Sequence, residues 1–170
     1  MRLFFALWPP RQAAAALHAW AQSVQRAAGG RVTRAETIHL TLAFLGEVSE
    51  ENASRAIQAA RLVTCQSHAM VLEQAKFWPR NRIVWAGPLE TPAPMAALAA
   101  ALAEELKAKG FRTESRTFKS HVTLIRKARE PGKLPPLPAV GWPVDEFALV
   151  RSQLSAAGSR YEFVERFALT

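Results

Sequence analysis

Apolar positions along this chain switch repeatedly between a period of two and a period near 3.6, which predicts strands alternating with alanine-rich helices. Met1 to Trp8 is an almost unbroken apolar run and reads as a buried first strand. Pro9-Pro10 then opens a helix in which Leu17, Trp20, Val24 and Ala28 recur at helical spacing, until Gly29-Gly30 stops it. Arg31 to Arg34 is a short extended piece, and His39 to Gly46 is a strand. Ser49, followed by Glu50 and Glu51, caps a second helix marked by Ala53, Ile57 and Ala60 and reaching about Cys65. Met70 to Phe77 and Ile83 to Leu89 read as two strands, joined as a hairpin across Trp78-Pro79-Arg80-Asn81-Arg82. Thr91 is placed to cap a third helix whose stripe is Met95, Leu98, Leu102 and Leu106, with Gly110 as its stop. Arg116 to Ile125 reads as a strand, and Val144 to Leu154 with Arg160 to Leu169 as a closing hairpin around Ala156-Ala157-Gly158. Between them Glu130 to Pro143 holds five prolines and reads as an exposed, stiff connection between lobes.

One stretch occurs twice. His39-Leu40-Thr41-Leu42 in the first half is matched by His121-Val122-Thr123-Leu124 in the second, each in a strand-like context. Alternation in a strand puts the histidine and threonine of each copy on one face, about 7 Å apart, with the aliphatic residues behind them. A single His-x-Thr is a weak pattern, but two copies in different halves point to a duplicated architecture with a symmetric site. The other two histidines lack such company, His18 lying on the first helix and His68 in the loop beyond the second.

Length and composition bound what that site serves. A chain of 170 residues, 49% hydrophobic, can bury a sizeable core, and one domain spanning 1–170 is expected. The single cysteine, Cys65, rules out an intramolecular disulfide and a multi-cysteine zinc site and fits a reducing compartment, with the cytoplasm as the expected location. The apolar amino terminus is cut short by Pro9-Pro10, well below membrane-span length. A net charge of +8 favours an anionic partner such as RNA or a nucleotide.

The chemistry open to two histidines and two threonines is specific. An imidazole titrates near neutral pH, so one can act as base while the other acts as acid, an arrangement suited to in-line displacement at phosphorus. The hydroxyls can donate hydrogen bonds to the non-bridging phosphate oxygens as charge builds on them. No cofactor is expected. Neither copy offers a second histidine, a cysteine or a carboxylate at metal-ligand spacing. Glycine-rich phosphate loops and the serine-hydrolase elbow are also missing from the sequence.

These residues resemble the signature of the 2H phosphoesterase superfamily, and specifically of the bacterial RNA 2′,3′-cyclic phosphodiesterases, also called 2′-5′ RNA ligase-like proteins. The similarity extends to Arg2-Leu3-Phe4-Phe5-Ala6, the whole run His39 to Gly46, Phe77-Trp78-Pro79 with Val84-Trp85, Ser120 to Arg126, Val150-Arg151-Ser152, Gly158 and Tyr161. Ser120 stands where many relatives have proline. The resemblance implies an α+β, bilobal fold, two pseudosymmetric lobes of antiparallel sheet with outer helices and a central cleft. It also implies metal-independent hydrolysis of an RNA-terminal or nucleotide 2′,3′-cyclic phosphate to a 2′-phosphate; separately, a monomer is expected. By the same resemblance His39 protonates the leaving 3′-oxygen, His121 orients or deprotonates the water, and Arg126 lies at the cleft edge. Two other readings stay open: 2′-5′ ligation as the main activity, and a nucleotide-binding or RNA-binding module with little turnover.

Phe44 stands five residues after His39, as Arg126 does after His121. Strict alternation puts each opposite its histidine, and only a bulge or bend brings either to the cleft. Trp78, Arg80 and Arg82 in the hairpin connection can supply stacking and phosphate contacts to a longer RNA, or form an ordinary solvated turn.

Overall fold

Helix formation follows the apolar spacing closely. The computed structural model describes residues 1–114 and 116–170. Helix α1 (Arg11–Ala28) buries Leu17, Trp20, Val24 and Ala28 on one face and ends at Gly29, whose φ of 62° suits a residue without a side chain. In α2 (Glu50–Arg61) the Ser49 hydroxyl accepts the Asn52 amide at 3.1 Å, and Glu50 and Glu51 fill the first turn. This helix stops four residues short of Cys65. The third, α3 (Ala93–Ala108), buries Met95, Leu98, Leu102 and Leu106.

Thr91 does not cap α3. Pro92 occupies that position, and the Thr91 hydroxyl lies 2.8 Å from that of Ser120 instead. Ser120 is 6% exposed, so this bond satisfies a hydroxyl that would otherwise be stranded in the interior beside the second motif.

Among the described residues ten strands complete the fold: β1 (Arg2–Leu7), β2 (Arg31–Val32), β3 (Leu40–Glu47), β4 (His68–Leu72), β5 (Gln74–Trp78), β6 (Ile83–Gly87), β7 (Val122–Arg126), β8 (Val140–Val144), β9 (Glu146–Ser155) and β10 (Gly158–Ala168). They form one sheet ordered β10-β9-β1-β3, a second ordered β2-β7-β6-β5, and a two-stranded ribbon β4-β8. Every pairing is antiparallel. The result is the expected α+β architecture, with the two motif strands in different sheets. The lobes are interleaved rather than sequential, because β9 and β10 from the carboxyl end join β1, while β2 from the amino-terminal half joins β7.

Several boundaries differ from expectation, each for a reason in the pairing. The run Met70 to Phe77 divides at Glu73, since β4 pairs with β8 and β5 with β6. His68 is part of β4 and not of a loop. The proline-rich connection contains β8, with Leu137 and Trp142 buried; Pro143 is tolerated because a two-stranded ribbon leaves one side of β8 unpaired. Residues 116–121 are not strand. His39 and His121 both sit immediately ahead of their strands.

Strand β1 reads as continuously apolar because both its faces are covered. Leu3, Phe5 and Leu7 enter the main core, whereas Phe4 and Ala6 join a smaller cluster with Ala148 and Val150, against which Trp8 and Tyr161 pack. That second cluster floors the site. Among the described residues no helix is long and apolar enough to cross a membrane.

Candidate active site

Each motif histidine is held by its own chain. His39 Nδ1 lies 2.7 Å from the Thr37 carbonyl, and His121 Nδ1 lies 3.1 Å from the Lys119 carbonyl, the same two-residue offset in both copies. A carbonyl can only accept, so Nδ1 carries the proton and Nε2 is left as the basic nitrogen of the neutral ring. Strands β3 and β7 begin just after the histidines.

Alternation breaks at the same place in both strands. Along β3, Thr41 pairs with Ala6 and Ala43 with Phe5, leaving Leu42 unmatched. Along β7, Thr123 pairs with Trp85 and Ile125 with Val84, leaving Leu124 unmatched. The extra leucine after each threonine shifts the parity, so the residue three beyond the threonine returns to the threonine's face. Phe44 accordingly lies opposite Phe4, ring centroids 5.9 Å apart, and is 60% exposed instead of packed in the core. Arg126 takes the corresponding exposed position beside Thr123.

The surroundings of the two imidazoles are aromatic. Trp8 stacks on His39 at 4.8 Å and 13°, with Phe4 and Tyr161 at 5.1 and 5.2 Å. Trp78 meets His121 edge-on at 4.9 Å, and Trp85 stands behind at 6.2 Å. Burial lowers the pKa of His39 to about 4 against the favourable pull of the Thr37 carbonyl, and the charges of Arg126 and His121 lower it further. His121 is lowered too, again chiefly by burial and then by Arg126 and Lys119. The charge of Arg126 contributes to the lowering at both rings.

Residues 33–37 clasp the two sheets. Thr33 gives its hydroxyl to the Thr123 carbonyl at 3.0 Å and its amide to that of Leu124 at 2.8 Å. Arg34 reaches the Ser159 carbonyl on β10 at 3.0 Å, and the Glu36 carbonyl accepts the Trp8 indole N–H at 3.0 Å.

The structure thus sets His39 among Phe4, Trp8 and Tyr161, and His121 against Trp78, with Phe44 and Arg126 each on the face of its motif threonine. Arg80 stays out in the exposed turn, and Arg82 donates to the Ala128 and Lys127 carbonyls, pinning the turn to the end of β7. Phe4, Trp8 and Lys119 were not singled out as site residues from sequence. By simple alternation Trp8, just past the end of β1, follows Phe4 on one side, but only the fold reveals that this side meets His39.

A duplicated α+β scaffold presenting paired histidine-threonine strands defines a class of phosphoesterase, and comparison with known proteins narrows it. The family model described as LigT like Phosphoesterase matches residues 7–85 and 87–161, one motif in each segment. The chain is 34% identical to the RNA 2′,3′-cyclic phosphodiesterase of Escherichia coli K12, over 99% of this chain and 97% of that one. It is also 34% identical to the protein of that name from Thermus thermophilus, over 99% and 90%. The crystal structure of E. coli LigT complexed with 3′-AMP superposes with a TM-score of 0.93 at 34% identity, over 99% and 98% of the two chains. The chain belongs to the LigT-like phosphoesterase family.

Proposed function

We propose that this chain is an RNA 2′,3′-cyclic phosphodiesterase, opening the cyclic phosphate of an RNA 3′ end or a small cyclic nucleotide to a 2′-phosphate without a metal. It works as one bilobal domain over 1–170, as a monomer in the cytoplasm. The observation that carries the reading is the matched pair of histidines, each at the head of a motif strand with Nδ1 held by the carbonyl two residues earlier. The names and near full-length identity of the E. coli and Thermus relatives support it.

The chemistry follows from that geometry. Water attacks phosphorus from one side while the P–O3′ bond breaks on the other. His121 Nε2 takes the water's proton, and His39, protonated in the complex, gives a proton to the departing 3′-oxygen. Arg126 and the hydroxyls of Thr41 and Thr123 bear the charge on the non-bridging oxygens. Both rings are neutral in the free protein near pH 7, so the bound phosphate itself supplies the anion that returns a proton to His39.

The test is hydrolysis of a 2′,3′-cyclic mononucleotide in EDTA. Activity persists in the parent and falls by at least about 100-fold in His39→Ala and in His121→Ala, the scale of a lost acid or base. A requirement for added metal, or activity that survives both substitutions, overturns the mechanism.

A further inference from the structure

We infer that the chain has a second nucleotide subsite on the outer side of His39, which holds the nucleotide immediately 5′ of the one bearing the cyclic phosphate. The inference rests on the phosphodiesterase reading above and names its substrate as a single-stranded RNA end rather than a free cyclic nucleotide.

A depression of about 300 Å³ opens there. Trp8, Tyr161 and Phe163 supply aromatic surface, and Arg34 and Arg160 supply positive charge. Thr37, whose carbonyl holds the His39 ring, also lines it, as do the very indole and phenol rings that touch His39. The cavity thus adjoins the site, with the Trp8 and Tyr161 rings as walls common to both. Trp8 and Phe163 lie edge to face at 5.1 Å, and Trp8 and Tyr161 at 5.7 Å. Arg34 is already engaged, by Glu36 at 3.7 Å and the Ser159 carbonyl at 3.0 Å. Arg160, exposed on β10, has no carboxylate or carbonyl partner among the described residues and is the cation free to meet a phosphodiester.

Direction comes from the displacement itself. The leaving 3′-oxygen and the attacking water lie on opposite sides of phosphorus, and with His39 serving the 3′-oxygen, the nucleoside and the chain 5′ of it extend on the His39 side. Aromatic surface with a neighbouring arginine is the combination by which proteins hold single-stranded RNA, through base stacking and a backbone contact. The opposite side, beyond His121 and Trp78, is left to water or to an attacking hydroxyl.

The experiment compares kcat/KM on a 2′,3′-cyclic mononucleotide and on a dinucleotide with the same terminal cyclic nucleotide, for the parent and for Arg160→Gln, Phe163→Ala and Arg80→Gln. The expected result is a parent preference of about tenfold or more for the dinucleotide, in line with one stacked base. Arg160→Gln and Phe163→Ala each cut that preference by about fivefold or more while mononucleotide turnover stays within about twofold, and Arg80→Gln leaves the preference intact. Equal kcat/KM for both substrates in the parent overturns the subsite, and so does a preference lost in Arg80→Gln but kept in Arg160→Gln and Phe163→Ala. Hydrolysis of neither substrate by the parent overturns the phosphodiesterase reading and the subsite with it, an outcome distinct from equal turnover of the two.

Discussion

His39 stores a pH dependence that both stability and catalysis expose. Its folded pKa, about 4, lies below the ordinary imidazole value of 6.5, with burial as the leading cause. The unfolded chain therefore binds the proton first as pH falls. Stability contributed by the neutral buried ring is complete above pH 6.5, declines between 6.5 and about 4, and levels off below that. The shift corresponds to a loss on the order of 3 kcal/mol, and His121 adds to it in the same direction. In urea titrations at pH 7 and pH 4.5, His39→Gln is expected to lose less stability than the parent over that interval. An equal loss in both proteins would show that the ring is not held neutral. In turnover, the same shifts place the bell of kcat/KM, which reports the free enzyme, on the acid side of pH 6.5. Because a bound phosphate anion raises both values, the optimum of kcat lies at higher pH than that of kcat/KM. A monotonic profile, or coincident optima, contradicts the paired acid-base roles.

At the scale of elements, the bulges at Leu42 and Leu124 matter more than strand propensity. They turn two strands whose sequences predict a clean inside-outside pattern into platforms that present three successive groups to one side: histidine, threonine, and then Phe44 or Arg126. The end of β7 is fixed by what packs on it, and Gly30 is the tightest point. Its φ is 73°, and a Cβ there would collide with the Arg126 carbonyl oxygen, whereas a Cβ on Gly46, φ 70°, meets nothing within 4 Å. Gly46→Ala therefore bears only the left-handed strain, about 1 kcal/mol. Gly30→Ala must also displace the backbone beside Arg126, for about 2–3 kcal/mol or more. Thermal unfolding should show Gly30→Ala melting roughly 5–10 °C below the parent and several degrees below Gly46→Ala. Similar melting temperatures would mean that the α1–β2 turn does not brace Arg126.

On the scale of the whole molecule, the net charge of +8 becomes useful only once it is located. Arg126 is exposed at the end of β7, Lys119 lies 6.0 Å from the Trp78 ring beside His121, and Arg34 and Arg160, together with the opposite charge of Glu36, line the depression beyond His39. Such a track favours a polyanion over a mononucleotide and ties its affinity to salt. If two backbone phosphates are neutralised, raising salt from about 50 to 200 mM should cut kcat/KM for an RNA end by about sevenfold, with a smaller effect on a cyclic mononucleotide. Equal salt sensitivity of the two would remove the basic track as a binding surface.

Much of this protein was written in one dimension. Periodicity marked three helices and most strands because burying an apolar stripe is a local demand, and the repeated His-x-Thr marked two halves of one site because its residues are close in sequence. What lay beyond reach depended on partners distant along the chain. Which strand pairs with which decided that β4 and β5 are separate, that the carboxyl-terminal hairpin completes the first lobe, and that Trp8 and Tyr161 enclose His39. Register decided the rest: an unmatched leucine directly after each motif threonine returns Phe44 and Arg126 to the threonine's face, exposed instead of buried. A bulge is a mismatch between two strands and has no meaning for either alone. The chemical groups and their duplication can thus be read along the chain, whereas what stands beside them follows from strand pairing and register.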